Sequence, residues 1–201
     1  MNRTRKWLVA GFLLLGCLVL SYIFLIRPWF MRWGATDAEV AMTLPGEPLT
    51  PDALSVSTRA LTIHASAAKV WPWLVQIGVG RAGWYSHAWL ENLFATGMQN
   101  ADQIRPEWQT VQVDDRWLMT KMGNAAQITL VEPGRALRLD HNWIIYLQVV
   151  DAQTTRLIAR YAVEPAAGGI PPLSLAIFEP AHFLMETGMM LGIKQRAEAN
   201  P

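Results

Sequence analysis

Between Trp7 and Ile26 the chain carries no charged side chain, and that run constrains the segment more than any other feature. WLVAGFLLLGCLVLSYIFLI has the length an α-helix needs to cross a hydrocarbon core, about 20 residues. Arg3, Arg5 and Lys6 precede it, while Arg27, Trp29, Arg32 and Trp33 follow, so cations and amphipathic rings flank the run at headgroup depth. Composition turns mixed after Gly34, which reads as one anchor carrying one domain. A cleaved signal needs a shorter apolar region and a small-residue cleavage site, and Ile-Phe-Leu-Ile-Arg-Pro offers no such site. Leu14-Leu15-Gly16-Cys17 has the outline of a lipoprotein box, yet the run continues for nine positions past Cys17, where a lipidated chain turns polar. The N-side cations and the amino terminus outweigh Arg27 and Arg32. This predicts a single-pass protein of the cell membrane, with its amino terminus in the cytoplasm and its domain outside.

The roughly 165 residues beyond the anchor suffice for one domain with its own core. A net charge of +1, with no Lys/Arg run outside the anchor flanks, gives nucleic acid no basic field to bind. Cys17 is the only cysteine, so intrachain disulfides, thiolate metal sites and a cysteine nucleophile in the domain are excluded. Ten tryptophans and nine methionines supply large apolar area and adaptable packing. That composition suits either a filled core or a hollow one.

The chain divides into an anchor (1–33), a Pro-rich connector (34–54) and a domain (55–201). Ser55 to His64 alternates and is β-branched, a first strand. A helix starts at Ala65-Ser66, with Val70, Trp71, Leu74, Val75 and Ile77 at helical spacing and Pro72 acceptable only in its first turn. Gly78, Gly80 and Gly83 end it in a bend, and Trp84 to Phe94 forms a second short helix. Strand-like runs follow at Thr110–Val113, Arg116–Met122, Gln127–Glu132, Ala136–Asp140, Trp143–Val150 and Thr155–Glu164, separated by Asp-Asp, Gly-Asn, Pro-Gly and Asp-Ala-Gln turns. Trp143, Ile145, Leu147 and Val149 share a face, as do Leu157, Ala159, Tyr161 and Val163, with Arg156 and Arg160 opposite. Pro171-Pro172 opens a long final helix whose stripes, Leu173, Ile177, Leu184 and Leu191 on one side and Phe178, Met185 and Met189 on another, predict burial against a sheet. The sum is an α+β fold.

Three stretches carry a family resemblance. They are Leu61-Thr62-Ile63-His64-Ala65 with Val70-Trp71-Pro72-Trp73-Leu74-Val75-Gln76-Ile77-Gly78; Gly80-Arg81-Ala82-Gly83-Trp84-Tyr85-Ser86 with Trp89-Leu90-Glu91-Asn92; and Asn100-Ala101-Asp102-Gln103-Ile104 with Pro106-Glu107-Trp108-Gln109. Over residues 55–198 the chain resembles the START-like superfamily (SRPBCC, polyketide cyclase/dehydrase-like proteins), and within it a membrane-anchored subgroup for which no particular activity is implied. The resemblance implies a helix-grip fold, a curved antiparallel sheet around a C-terminal helix and an apolar cavity. Members bind lipids, sterols, polyketides or other hydrophobic molecules, and a minority are enzymes.

The four histidines, His64, His87, His141 and His182, form no zinc motif. His87 with Glu91 and Glu179 with His182 are helix-spaced pairs of an ordinary kind, and a di-iron site would need more carboxylates than are present. No metal and no cofactor is expected. No Gly-x-Ser-x-Gly elbow or phosphate-cradling loop occurs, and Gly78-Val79-Gly80-Arg81 reads as a bend with Arg81 holding helix C-terminal carbonyls. Asp140 and His141 are adjacent and point to opposite faces, though His141 can face inward with Trp143. Trp84, Tyr85, Trp89, Trp117, Met119, Trp143, Phe183 and Met189 are the expected pocket lining, with His141 as its polar group. The leading expectation is non-catalytic binding of a hydrophobic small molecule or lipid beside a bilayer. A cyclase or hydrolase using His141, Tyr146 or Glu91 is one alternative, and a protein-interaction module docking through the last helix is another.

Overall fold

The computed structural model describes residues 3–86, 99–120, 123–165 and 172–199. The chain begins as helix α1 (Arg3–Ser21), continues through a π turn at Tyr22–Ile26 and ends this first rod as α2 (Arg27–Met31). Among the described residues, Trp7–Met31 is the one helical stretch long and apolar enough to cross a membrane. Leu8, Phe12, Leu13 and Leu18 are all more than half exposed, a contiguous apolar surface of the kind that marks a membrane or interaction site.

Six strands form a single antiparallel sheet among the described residues: β1 (Ser55–Ile63), β2 (Arg116–Leu118), β3 (Ala125–Glu132), β4 (Ala136–Leu139), β5 (Trp143–Asp151) and β6 (Thr154–Val163). Their spatial order is β1-β6-β5-β4-β3-β2, so the first strand closes onto the last of a meander. Helix α4 (Ala67–Val75) and the long α5 (Pro172–Ala199) lie on one face. This is an α+β helix-grip fold, in which the antiparallel sheet packs around the C-terminal helix.

Period-two alternation fixes what each sheet face buries. Trp143 pairs with Tyr161, Ile145 with Ala159 and Leu147 with Leu157 on the concave face, where α4 and α5 complete the main core. Ala60, Ile144, Ile158 and Ala162 point the other way and meet Leu44 and Leu49 from the connector. The connector is ordered by its capping chemistry. Thr36 and Glu39 form a capping box that opens helix α3 (Asp37–Ala41), and Glu39 also receives the Arg156 guanidinium at 2.6 Å. Arg160 donates to the carbonyls of Glu39, Val40 and Met42 and to the Glu47 carboxylate. The two convex-face arginines therefore strap residues 34–54 across the back of the sheet.

Several expectations are corrected. Thr110–Val113 forms no strand, because Gln112 closes a turn onto the Asp115 carboxylate and Asp114, at φ +76°, donates instead to the Ile128 carbonyl. Pro72 lies in the second turn of α4, not the first. Trp84 and Tyr85 sit in a bend, with Tyr85 at φ +55°, and the remainder of the helix expected at Trp84–Phe94 lies outside the described residues. The stripes of α5 differ most. Ile177, Leu184 and Leu191 are exposed, as are Phe178 and Met185, while Glu179, Glu186, Met189, Met190, Ile193 and Ala197 face inward.

Candidate functional site

A cavity of about 210 Å³ opens between the sheet and α5, lined by Trp84, Met119, Trp143, Tyr161, Phe178, His182, Met185, Glu186 and Met189. Helix α5 supplies five of these at positions 178, 182, 185, 186 and 189, a spacing that keeps them on one helical face. Trp143 starts β5 directly opposite Tyr161 on β6, and Trp84 stacks on Trp143 with centroids 5.8 Å apart. The Trp84 backbone is held there by its neighbours. Gly83 adopts φ +73°, and the Asn100 side chain accepts from Tyr85 N–H and donates to the Ser86 carbonyl. Helix α5 can approach this bend only because residue 192 is glycine, since a Cβ there would run into the Tyr85 carbonyl.

One polar cluster backs the cavity. Arg59, on the concave face of β1, donates to Glu186 at 2.5 Å, and both side chains are 1% exposed. The other Glu186 oxygen accepts from the Trp143 indole at 2.8 Å. Arg59 also donates through Nε to the Phe30 carbonyl of α2 and approaches His182 Nδ1 at 3.2 Å. A guanidinium can only donate, so Nδ1 accepts and the His182 proton resides on Nε2. Burial holds His182 below the ordinary imidazole range; Glu186 opposes that shift and Arg59 reinforces it. Tyr161 lies against the His182 ring, centroids 4.2 Å apart, and burial raises its phenol, with Glu164 and Glu186 adding to the effect. The arrangement offers an aromatic and thioether surface, a carboxylate already paired from behind, and neutral polar edges. No cluster of three or more metal-ligating side chains exists among the described residues.

Of the residues expected from sequence to line a pocket, Trp84, Met119, Trp143 and Met189 do so. Tyr85, Trp117, Phe183 and His141 do not line this cavity. Tyr85 is buried beside it, takes a hydrogen bond from Gln76, carries Arg196 over its ring and has its phenol pushed up to about 12 by burial. Trp117 is core, under the guanidinium of Arg81. Arg81 donates to the Val75 carbonyl, closing α4 as expected, and burial lowers its pKa. Phe183 packs against Trp29, Phe30 and Trp33 at the foot of the N-terminal apolar helix. His141 is exposed in the turn between β4 and β5, because that three-residue turn directs it away from Trp143. Tyr146 faces the connector on the convex side. Trp89, His87 and Glu91 lie outside the described residues.

Sequence reasoning missed Arg59, Glu186 and the cavity role of His182. The available signal was a lone arginine on the inward phase of an apolar strand and a glutamate set among apolar residues of the last helix, two charges that burial forces to pair.

No protein family matches the chain, and no curated protein matches it in sequence. Solved structures do resemble it. The Mesorhizobium loti protein MLL2253 is 12% identical over 73% of this chain and 99% of its own, with a TM-score of 0.45. The ZhuI aromatase/cyclase of Streptomyces sp. R1128 is 16% identical over 72% and 93%, TM-score 0.40. The polyketide-cyclase-like protein Cgl2372 of Corynebacterium glutamicum is 13% identical over 75% and 90%, TM-score 0.33. These are likenesses of fold, and the chemistry of the Streptomyces enzyme belongs to that enzyme.

Proposed function

We propose that this protein is a membrane-anchored binder of a small hydrophobic molecule, held without covalent chemistry in the cavity between sheet and α5. The observation that carries this reading is the cavity wall, whose aromatic rings and three methionines give affinity by burial while Glu186 and His182 orient one polar end. Its volume of about 210 Å³ suits a ligand smaller than a drug-sized molecule, or one acyl or ring portion of a larger lipid. Methionine walls can shift rotamers to enlarge the space. The anchor at Trp7–Met31 supports a ligand that partitions into bilayers, since tethering raises its local supply.

Native mass spectrometry of the full chain in nanodiscs, followed by extraction, tests this. A stoichiometric apolar species is expected, together with quenching of tryptophan emission by a neutral naphthylamine fluorophore, and both should vanish in Met189→Trp, which fills the cavity. Chain from several hosts that is empty and insensitive to the fluorophore would overturn the reading.

A second reading follows from the displaced His182 and Tyr161. A neutral imidazole beside a buried phenol and a carboxylate is a set suited to acid–base work on a bound ketone or enol. Substrate turnover lost in both His182→Gln and Tyr161→Phe, with ligand binding retained, would favour this reading over simple carriage.

A further inference from the structure

Two helices in this structure change from apolar to charged at the same level. The apolar run of the anchor ends at Arg27, and that of α5 ends at Glu179, the first charge after the uncharged stretch from Pro165 to Phe178. Arg27 and Glu179 form a two-pronged ion pair, with both distances 2.7 Å, although Glu179 is almost wholly buried. On the apolar side of that pair, Leu175 and Ala176 face Leu18, Val19, Tyr22 and Ile23 across a cleft of about 600 Å³. At about 1.5 Å per residue, Val19 lies about 12 Å along the helix axis from Arg27, and Tyr22 about 7 Å. If the hydrocarbon boundary falls at Arg27, where the anchor becomes charged, the beginning of α5 lies inside it.

The backbone chemistry of α5 agrees. Pro180 has no N–H, which leaves the Ala176 carbonyl without its helical donor. That carbonyl accepts from the Tyr22 hydroxyl at 3.5 Å, so two polar groups that hydrocarbon would strand serve each other. Pro172, at the helix start, has no N–H to leave unpaired. Ile177 is 66% exposed, as exposed as Leu13 in the middle of the anchor.

We infer that the first turns of α5, through Phe178, are embedded beside the anchor in the hydrocarbon edge of the domain-side leaflet. The chain then holds the membrane by two elements, one spanning and one dipping, with acyl chains filling the cleft between them. The depth, about 5–10 Å, is that at which interfacial helices lie. This inference rests on the anchoring reading above.

The test uses the full chain in vesicles of phosphatidylcholine and phosphatidylglycerol, with the native thiol removed by Cys17→Ser. Single environment-sensitive labels are placed through Leu13→Cys, Ile177→Cys or Leu191→Cys, all exposed positions that leave the core intact. The label at 177 is expected to emit to the blue, to be quenched by doxyl lipid and to escape aqueous iodide, as the label at 13 does. The label at 191 should be open to iodide. A label at 13 in lipid with one at 177 as accessible as that at 191 overturns the insertion while leaving the anchor standing. Labels at 13 and 177 both open to iodide overturn the anchor reading, and the insertion with it.

Discussion

The two halves of α5 each carry an apolar stripe, and the stripes meet opposite fates. In the C-terminal half, Met189, Met190, Ile193 and Ala197 are buried against the sheet and α4. In the N-terminal half, Ile177, Phe178, Leu184 and Met185 face outward, and the inward positions are taken by Glu179 and Glu186. Hydropathy therefore reports that a surface leaves water, not what it meets. One half meets protein, and the other borders the cavity and the N-terminal apolar helix.

Breaking the junction between the halves should have the largest effect. Arg59→Met strands the Glu186 carboxylate in the core and is expected to cost about 3–5 kcal/mol, read from thermal or denaturant unfolding in nanodiscs. Within the C-terminal half, Ile193→Ala should lose about 2–4 kcal/mol through transfer and cavity terms, whereas Leu184→Ala in the outward half should stay within about 0.5 kcal/mol. Equal losses at 184 and 193 would erase the distinction. Gly192→Ala forces α5 off the Tyr85 carbonyl and is expected to cost about 1–3 kcal/mol, with Trp84–Trp143 stacking disturbed in near-ultraviolet dichroism.

A last effect is pH-dependent. His182 has a folded pKa below its unfolded value, so the unfolded chain binds the extra proton as pH falls through about 6.5. Stability attributable to this group is complete above that pH and declines on acidification, by at most about 1.4 kcal/mol per pH unit, until the folded pKa is reached. His182→Gln should flatten that slope. An unchanged slope would show that the imidazole is not held neutral.

Much of this was legible in the sequence. Period-two patterning placed Trp143, Ile145, Leu147, Leu157 and Ala159 on one face and the arginines at 156 and 160 on the other, because a one-residue slip would have exposed the whole set. The meander and the long helix followed from turn residues and length. What stayed hidden depended on partners distant in sequence. Phe183 looks like any pocket aromatic until Trp29, Phe30 and Trp33 arrive beside it, 150 or more positions away in the chain. His141 shares its strand-end pattern with inward residues, and only the turn after Leu139 decides its direction. Glu186 and Arg59 are 127 positions apart, so no local pattern marks them as a pair.

The Arg59 guanidinium reaches the Phe30 carbonyl, the Glu186 carboxylate and the His182 ring, and lies over the Phe183 ring. It thus works as a rigid coupling rod between the foot of the apolar N-terminal helix and the wall of the cavity. Tilting that helix would pull on the side chains that shape the cavity. The angle of the helix and the shape of the cavity then meet in a single residue.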